Sequence, residues 1–270
     1  MVYLAMKIIM ISLATLFVFF ISHLSIKFWG KAQVYTDYKH TMLQVASNGA
    51  QNTTPSTTPT ATPIEFIRPS YEHLQEILMS NKNVYLDVTV TFDQKLVIPR
   101  RKWLATEKPV RLFTYMEVKD QVLLVTEIKD FLKKKKIIFN LNENAQAIHQ
   151  TFMHDMKLIG LDKGENFIVT SQFESPLKAL KEIAPALVYG STQPEILKIV
   201  AMQSMHLLEA TNIRADVIIH PLKIRQHHFY NAEIISEMNK RFKKIVVGPI
   251  NPEELTAARA LKPFAIILNY

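Results

Sequence analysis

Asp87, Arg100 and Arg101 are the residues within 85–104 whose types could do chemistry. A carboxylate suits a hard divalent cation. A guanidinium stays cationic, with a pKa above about 12, so it cannot act as a base, but its paired N–H donors match phosphate. Spacing brings the two kinds of group together. Residues 84–90 alternate as a half-buried strand, and 96–98 form a short apolar run. The link between them is too short for a parallel crossover, so the two pair as a hairpin. With the turn centred between Asp93 and Gln94, paired residue numbers sum to 187, and Asp87 faces Arg100. Gln94 stands where such turns prefer glycine. Arg101, next along the strand, points to the other face.

Other reactive types offer less. The chain has no cysteine, which excludes disulfides, thiolate metal sites and thiol nucleophiles. His227 and His228 are adjacent, a poor geometry for chelating one ion, and His149 and His154 do not share a helix face. Ser171 lacks the glycines of a nucleophile elbow. With 6 glycines and no G-x-G-x-x-G, no phosphate-cradling loop is found. The net charge of +8 favours anionic partners such as a phospholipid surface or phosphate esters. No nucleic-acid-binding motif is present, so no nucleic acid is expected, and no protein partner is specified.

These residues need a scaffold, and the chain alternates in a way that supplies one. Apolar, β-rich runs fall at 42–46, 84–90, 137–141, 167–170, 187–190, 217–219, 245–248 and 265–268, with 96–98 as an extra strand. Helix-period segments lie between most of them, at 70–80, 121–134, 144–158, 176–183, 194–209, 231–242 and 252–261. Asn251-Pro252-Glu253-Glu254 reads as a helix start. Lys133 to Lys136 fall at a helix end, where cations complement the dipole. Strands alternating with helices imply parallel strands, and eight such units predict an α/β fold of the (β/α)₈ TIM-barrel type. A doubly wound open sheet is the alternative.

Residues 8–26 carry no formal charge and are just long enough to span hydrocarbon as a helix. Trp29 suits the interface that follows. The expectation is a single transmembrane helix in an anchor of residues 1–29, a spacer over 30–40 and a barrel over 41–270. A cleaved signal peptide is the rival reading, without a convincing small-x-small site to support it. Lys7 on one flank, against Lys27, Lys31 and Lys39 on the other, leaves the side of the barrel open. Residues 51–63 are Thr/Pro-rich and predict a mobile loop within the barrel domain.

The same stretch, 85–104, resembles the metal-binding arm of glycerophosphodiester phosphodiesterases, which run E-x-D-V, T-x-D-G and V-V-x-H-D-x-x-L. Residues 167–190 follow that family's I-x-S-F-D, L-x-x-L-x-x-x-x-P and L-G order. Residues 246–254 follow its V-x-W-T-V-N-x-x-E-E, with Gly248 in place of the Trp. The resemblance covers nearly all of the chain from residue 41 onward. It implies a barrel, two histidines for acid/base work, and carboxylates that bind Mg²⁺ or Ca²⁺. It also implies which residues stand at those positions here. The first histidine, in H-R-G-A at the end of the first strand, becomes Ser47, and the second becomes Arg100. A metal-binding Glu in E-N-T-L becomes Arg68. The Glu of E-x-D becomes Tyr85, while Asp87 is kept as a remnant of the metal set. E-x-K becomes Asn140 and Asn142.

With arginines in place of carboxylates, a divalent cation would be repelled, and neither acid/base position can transfer a proton. The expectation is a membrane-anchored relative without the family's hydrolysis and without its metal. Arg68, Arg100, Asn140 and Asn142 would then bind a phosphate ester or phospholipid head group. In a second reading, Arg68 or Arg100 simply neutralises Asp87. The alternative function is a divergent phosphodiesterase using Asp87 with other groups, such as His220 or Glu143.

Overall fold

The structure, a computed structural model, describes residues 10–12, 15–22, 62–99, 108–145, 147–164, 166–224 and 227–270. The barrel begins just after the Thr/Pro-rich segment, with β1 (Ile64–Arg68). Helix α1 (Tyr71–Met79) follows and buries Leu74, Ile77 and Leu78, spaced as one helical face. It leads to β2 (Asn83–Val90), from which an antiparallel excursion departs: β3 (Leu96–Pro99), the short helix α2 (Tyr115–Val118), β4 (Val122–Leu124) and α3 (Lys129–Leu132).

The chain rejoins the ring at β5 (Ile137–Leu141). It then alternates: α4 (Ile148–Ile159), β6 (Phe167–Thr170), α5 (Glu174–Ile183), β7 (Val188–Tyr189), α6 (Gln193–Ser204) and β8 (Val217–His220). After a small hairpin, β9 (Lys223–Ile224) with β10 (His227–His228), come α7 (Ala232–Lys240), β11 (Lys244–Ile250), α8 (Leu255–Ala260) and β12 (Ala265–Asn269). Local chemistry sets the ends. Gly160 closes α4 with a left-handed φ of 76°, and Thr192 accepts from the Glu195 N–H at the start of α6, with Pro194 in the first turn.

Eight strands pair side by side in parallel, in the order β7-β6-β5-β2-β1-β12-β11-β8. A single bridge, Gly190 to Val217, brings the two ends together. The result is a nearly closed parallel α/β barrel of TIM type. Strand alternation separates two cores. Phe66, Tyr85, Ile138, Ile168, Val217 and Val246 fill the interior. Leu86, Phe139, Phe152 and their neighbours pack beneath the helices on one side, with Ile199, Val247 and Ile266 on the other.

Two buried cations hold the periphery. Arg241, 2% exposed, donates from Nε to Glu237 (2.6 Å) and from Nη2 to the carbonyls of Leu208 and Glu209 (both 2.9 Å). Its Nη1 meets the Thr211 carbonyl. Lys135 donates to the carbonyls of Ile77, Ser80 and Lys82, at the C-terminal end of α1. The lysine run therefore complements a helix dipole, but that of α1, and burial lowers the Lys135 pKa.

Several expectations are corrected. The strand between β12 and β2 is Ile64–Arg68; residues 42–46 and Ser47 lie outside the described residues. Residues 121–134 are not one helix. Val122–Leu124 pairs with β3, and its carbonyls and amides are spent on that ladder before α3 begins. The hairpin register is off by one: Thr89 pairs with Val97 and Val90 with Leu96, a sum of 186. Gln94 itself adopts the left-handed conformation, φ 56°, and closes a three-residue loop between Thr91 and Lys95. The ladder between these strands stops at Thr89 and Val97; Asp87 pairs instead with Asn140 of β5, and Pro99 with Val122 of β4. Arg100 and Arg101 lie outside the described residues. Of residues 8–26, those at 10–12 and 15–22 are helical with exposed side chains. Among the described residues no helix is long and apolar enough to cross a membrane.

Candidate functional site

At the C-terminal mouth of the barrel, β1, β2 and β5 end in polar inward-facing residues. Register aligns Asp87 with Asn140 and Asn140 with Thr170. Arg68, the last residue of β1, reaches up to them. Its Nε and Nη2 donate to Asp87 Oδ2 at 2.9 and 2.6 Å, and Asn140 Nδ2 donates to Asp87 Oδ1 at 2.6 Å. Both carboxylate oxygens are thus engaged, by a charge and by an amide. The remaining Arg68 N–H donors have no acceptor among the described residues.

The floor beneath is apolar. Arg68 lies over the Tyr85 ring, 5.4 Å from its centroid, a cation–π distance. Burial opposes the Arg68 charge, but Asp87 and Tyr85 outweigh it and raise the Arg68 pKa above its ordinary value. Burial, reinforced by Asp87, pushes the Tyr85 phenol far up, so it stays protonated. Near neutral pH Arg68 therefore stays cationic and Tyr85 stays neutral.

The rest of the mouth divides by side. Asn142 accepts a long contact from Gln172 Nε2 (3.5 Å), and Asn269 Nδ2 donates to Asn251 Oδ1 (3.2 Å), giving an amide-lined rim. Across the ring the strands approach tightly. A Cβ on Gly190 would stand 2.7 Å from Thr170 Cβ and 2.8 Å from Ile219 Cδ1.

Arg68, Asp87 and Asn140 are brought together, and Asn142 sits on the rim. His220 and Glu143 do not join them. His220 stacks on Phe229, 4.7 Å between ring centres, and burial lowers its pKa. Glu143 lies near Thr89 and Arg111, and burial raises its carboxyl pKa against both. Ser47 and Arg100 lie outside the described residues. Tyr85, expected as a mere gap in the motif, proves to be the platform under Arg68. Its spacing, two residues before Asp87 on one strand, was the available signal.

A metal set fits poorly. Among the described residues no three His, Asp or Glu side chains converge on one point. Asp87, the carboxylate at the mouth, already accepts from Arg68 through one oxygen and from Asn140 through the other. A divalent cation would have to displace a guanidinium.

A separate cleft of about 490 Å³ lies between α5 and α6, over Leu177, Tyr189 and Ala215. Several of its polar groups are used structurally: Glu195 Oε1 accepts from the Arg214 and Ala215 amides, and Lys181 and Lys198 donate to carbonyls of the same loop.

No family model matches the chain, and the comparison with curated proteins finds no match. Solved structures do match. A glycerophosphodiester phosphodiesterase from Parabacteroides distasonis is 12% identical, with a TM-score of 0.56 over 77% of this chain and 92% of that one. One from Thermotoga maritima is 17% identical, with a TM-score of 0.53 over 76% and 94%. An Oleispira antarctica phosphodiesterase, solved with the product sn-glycerol-3-phosphate, is 13% identical, with a TM-score of 0.54 over 77% and 93%. The resemblance read from the sequence holds at the level of fold, across most of the chain.

Proposed function

We propose that this barrel, which has the fold of glycerophosphodiester phosphodiesterases, binds a phosphate ester or phospholipid head group at its mouth without hydrolysing it. One observation carries the reading: Arg68 is bonded to Asp87 where an active relative would hold a metal. The spare N–H donors of Arg68, with Asn140 and Asn142, are the groups offered to phosphate. Titration calorimetry of the full chain with glycerol 3-phosphate, with Mg²⁺ or with EDTA, tests it. Binding heat of equal size in both is expected; no heat in either sinks the idea.

The second reading is a divergent hydrolase, favoured by the likeness to phosphodiesterases, one of which was solved with its product. Its test is release of glycerol 3-phosphate from glycerophosphocholine with a series of divalent ions. Turnover that disappears in Asp87→Ala would replace the binding-only reading. We further propose that residues 8–26 anchor the protein in a membrane, on the strength of that charge-free run and of the exposed apolar side chains Leu16 to Ile21. Alkaline carbonate extraction of membranes from expressing cells is expected to leave the full chain in the pellet; recovery in the supernatant would end the anchor reading.

A further inference from the structure

Lysine pairs precede two strands on opposite sides of the ring. Lys135 and Lys136 lead into β5, and Lys243 and Lys244 open β11; these are the third and seventh strands in the order around the barrel. The first lysine of each pair is buried and accounted for. Lys135 is spent on the carbonyls that end α1, and Lys243 lies beside Asp216. Alternation turns the second of each pair the other way. Lys136 and Lys244 stand two residues before Ile138 and Val246, which fill the barrel interior, and both are half-buried.

The two lie at one level, at the end of the barrel away from the mouth. Register carries Lys136 to Asn83, Phe66 and Ile267, and so to Gly248 on β11. Strands of an eight-strand barrel are staggered by about one residue each, about four over this half of the ring, which brings the level back to Lys244. Ile64 and Val188, from β1 and β7, complete that layer. The floor thus holds two ammonium groups among aliphatic side chains. Asn166, whose carbonyl takes the Ile137 amide, adds an exposed side-chain amide at its rim. Neither ammonium has an ion-pair partner among the described residues. The acids at this end are committed elsewhere: Glu65 to Arg259 (2.6 Å), Glu209 to Lys240 (3.4 Å) and Asp216 to the Tyr189 amide (2.9 Å). Asp162 and Glu182, both exposed, have Lys163 and Lys178 as neighbours on their own segments.

We propose that the barrel floor is a second anion site, in which Lys136 and Lys244 close from opposite sides on one multivalent oxyanion of the phosphate or pyrophosphate class. A half-buried charge without a counter-charge is costly, and two like charges facing each other across an apolar layer repel. An anion between them removes both costs. The flexible four-carbon stem of lysine lets each ammonium swing to the axis. Lysines at helix ends complement dipoles, but an inward-facing pair has no helix terminus to serve. The site lies at the opposite end of the barrel from Arg68 and Asp87, and it does not depend on what the mouth binds.

Pyrophosphate titrated into the full chain is the test, by calorimetry and by thermal unfolding. One-to-one binding and a Tm raised by several degrees are expected, because a ligand held only by the folded form stabilises it. Lys136→Gln and Lys244→Gln are each expected to weaken binding about tenfold or more, the loss that goes with a charged hydrogen bond. Lys134→Gln, an exposed lysine of the same segment, is expected to change it by no more than about twofold, as a screened surface charge would. Without ligand, Lys136→Gln and Lys244→Gln are expected to melt no lower than the parent, since each removes an unpaired charge. A lower Tm would give the ammonium a structural partner and overturn the proposal. So would unchanged affinity in either variant, or an equal loss in all three, which would mean a diffuse field and an adventitious ion only. Pyrophosphate is expected to bind whether or not glycerol 3-phosphate does, so the two sites stand or fall separately.

Discussion

Asp87→Leu and Arg68→Met are each expected to cost about 2–3 kcal/mol of stability, while the double variant loses much less than their sum. Each single change strands a charge. Arg68→Met leaves the Asp87 carboxylate, 12% exposed, with Asn140 alone. Asp87→Leu leaves the guanidinium, 22% exposed, over Tyr85. Partial exposure is why the figure lies below the ~3–5 kcal/mol of a fully buried pair. Urea unfolding of the four proteins gives the coupling, expected near 2 kcal/mol. Additive effects would mean that the pair does not act as a unit. The same variants bear on binding. Arg68→Met and the double variant are expected to bind glycerol 3-phosphate about 10- to 100-fold more weakly, the loss that goes with a charged hydrogen bond. Unchanged affinity would place the ligand elsewhere.

Arg241→Ala is expected to be more damaging, about 3–5 kcal/mol, with Tm lower by roughly 10 °C. Arg241 is buried with Glu237, and it satisfies three carbonyls of the 208–211 turn. Its removal leaves Glu237 with Lys240 at 3.6 Å and the carbonyls without their donor. Arg241→Lys is expected to recover little, because a single ammonium cannot reproduce the planar fork. Thermal unfolding by circular dichroism checks both, and a shift of only a degree or two for Arg241→Ala would contradict the account. Phosphate-ester binding by folded Arg241→Ala should be intact, since Arg241 belongs to the outer face of the barrel.

Sequence reading located seven of the eight ring strands, because runs such as 137–141 and 167–170 are apolar on both faces, as buried parallel strands must be. It passed over β1. Ile64-Glu65-Phe66-Ile67-Arg68 is short, follows the Thr/Pro segment directly and shows no clean alternation, and 42–46 was read as the first strand. That choice moved Arg68 off its strand, although Arg68 was still one of the two arginines expected to neutralise Asp87. The hairpin slipped for a local reason. A turn centred between two residues was assumed, whereas Gln94 accepts a conformation usually left to glycine and makes the loop one residue longer. One residue of register exchanges the faces of a strand, so the hairpin sum did not give a partner for Asp87, and the bond is made by Arg68, the other arginine expected there. Asn140 was placed by resemblance alone; nothing in its spacing foretold that it would hold the second oxygen.

The Arg68–Asp87 pair also changes how the mouth answers its surroundings. A bound metal obeys mass action, so its occupancy rises and falls with the free ion and can be stripped by a chelator. A guanidinium fixed to β1 has no dissociation equilibrium of that kind. The positive charge at the mouth is installed when the chain is translated, in a constant one-to-one ratio to its carboxylate. Ligand capture there would be insulated from divalent-ion supply and would respond instead to ionic strength.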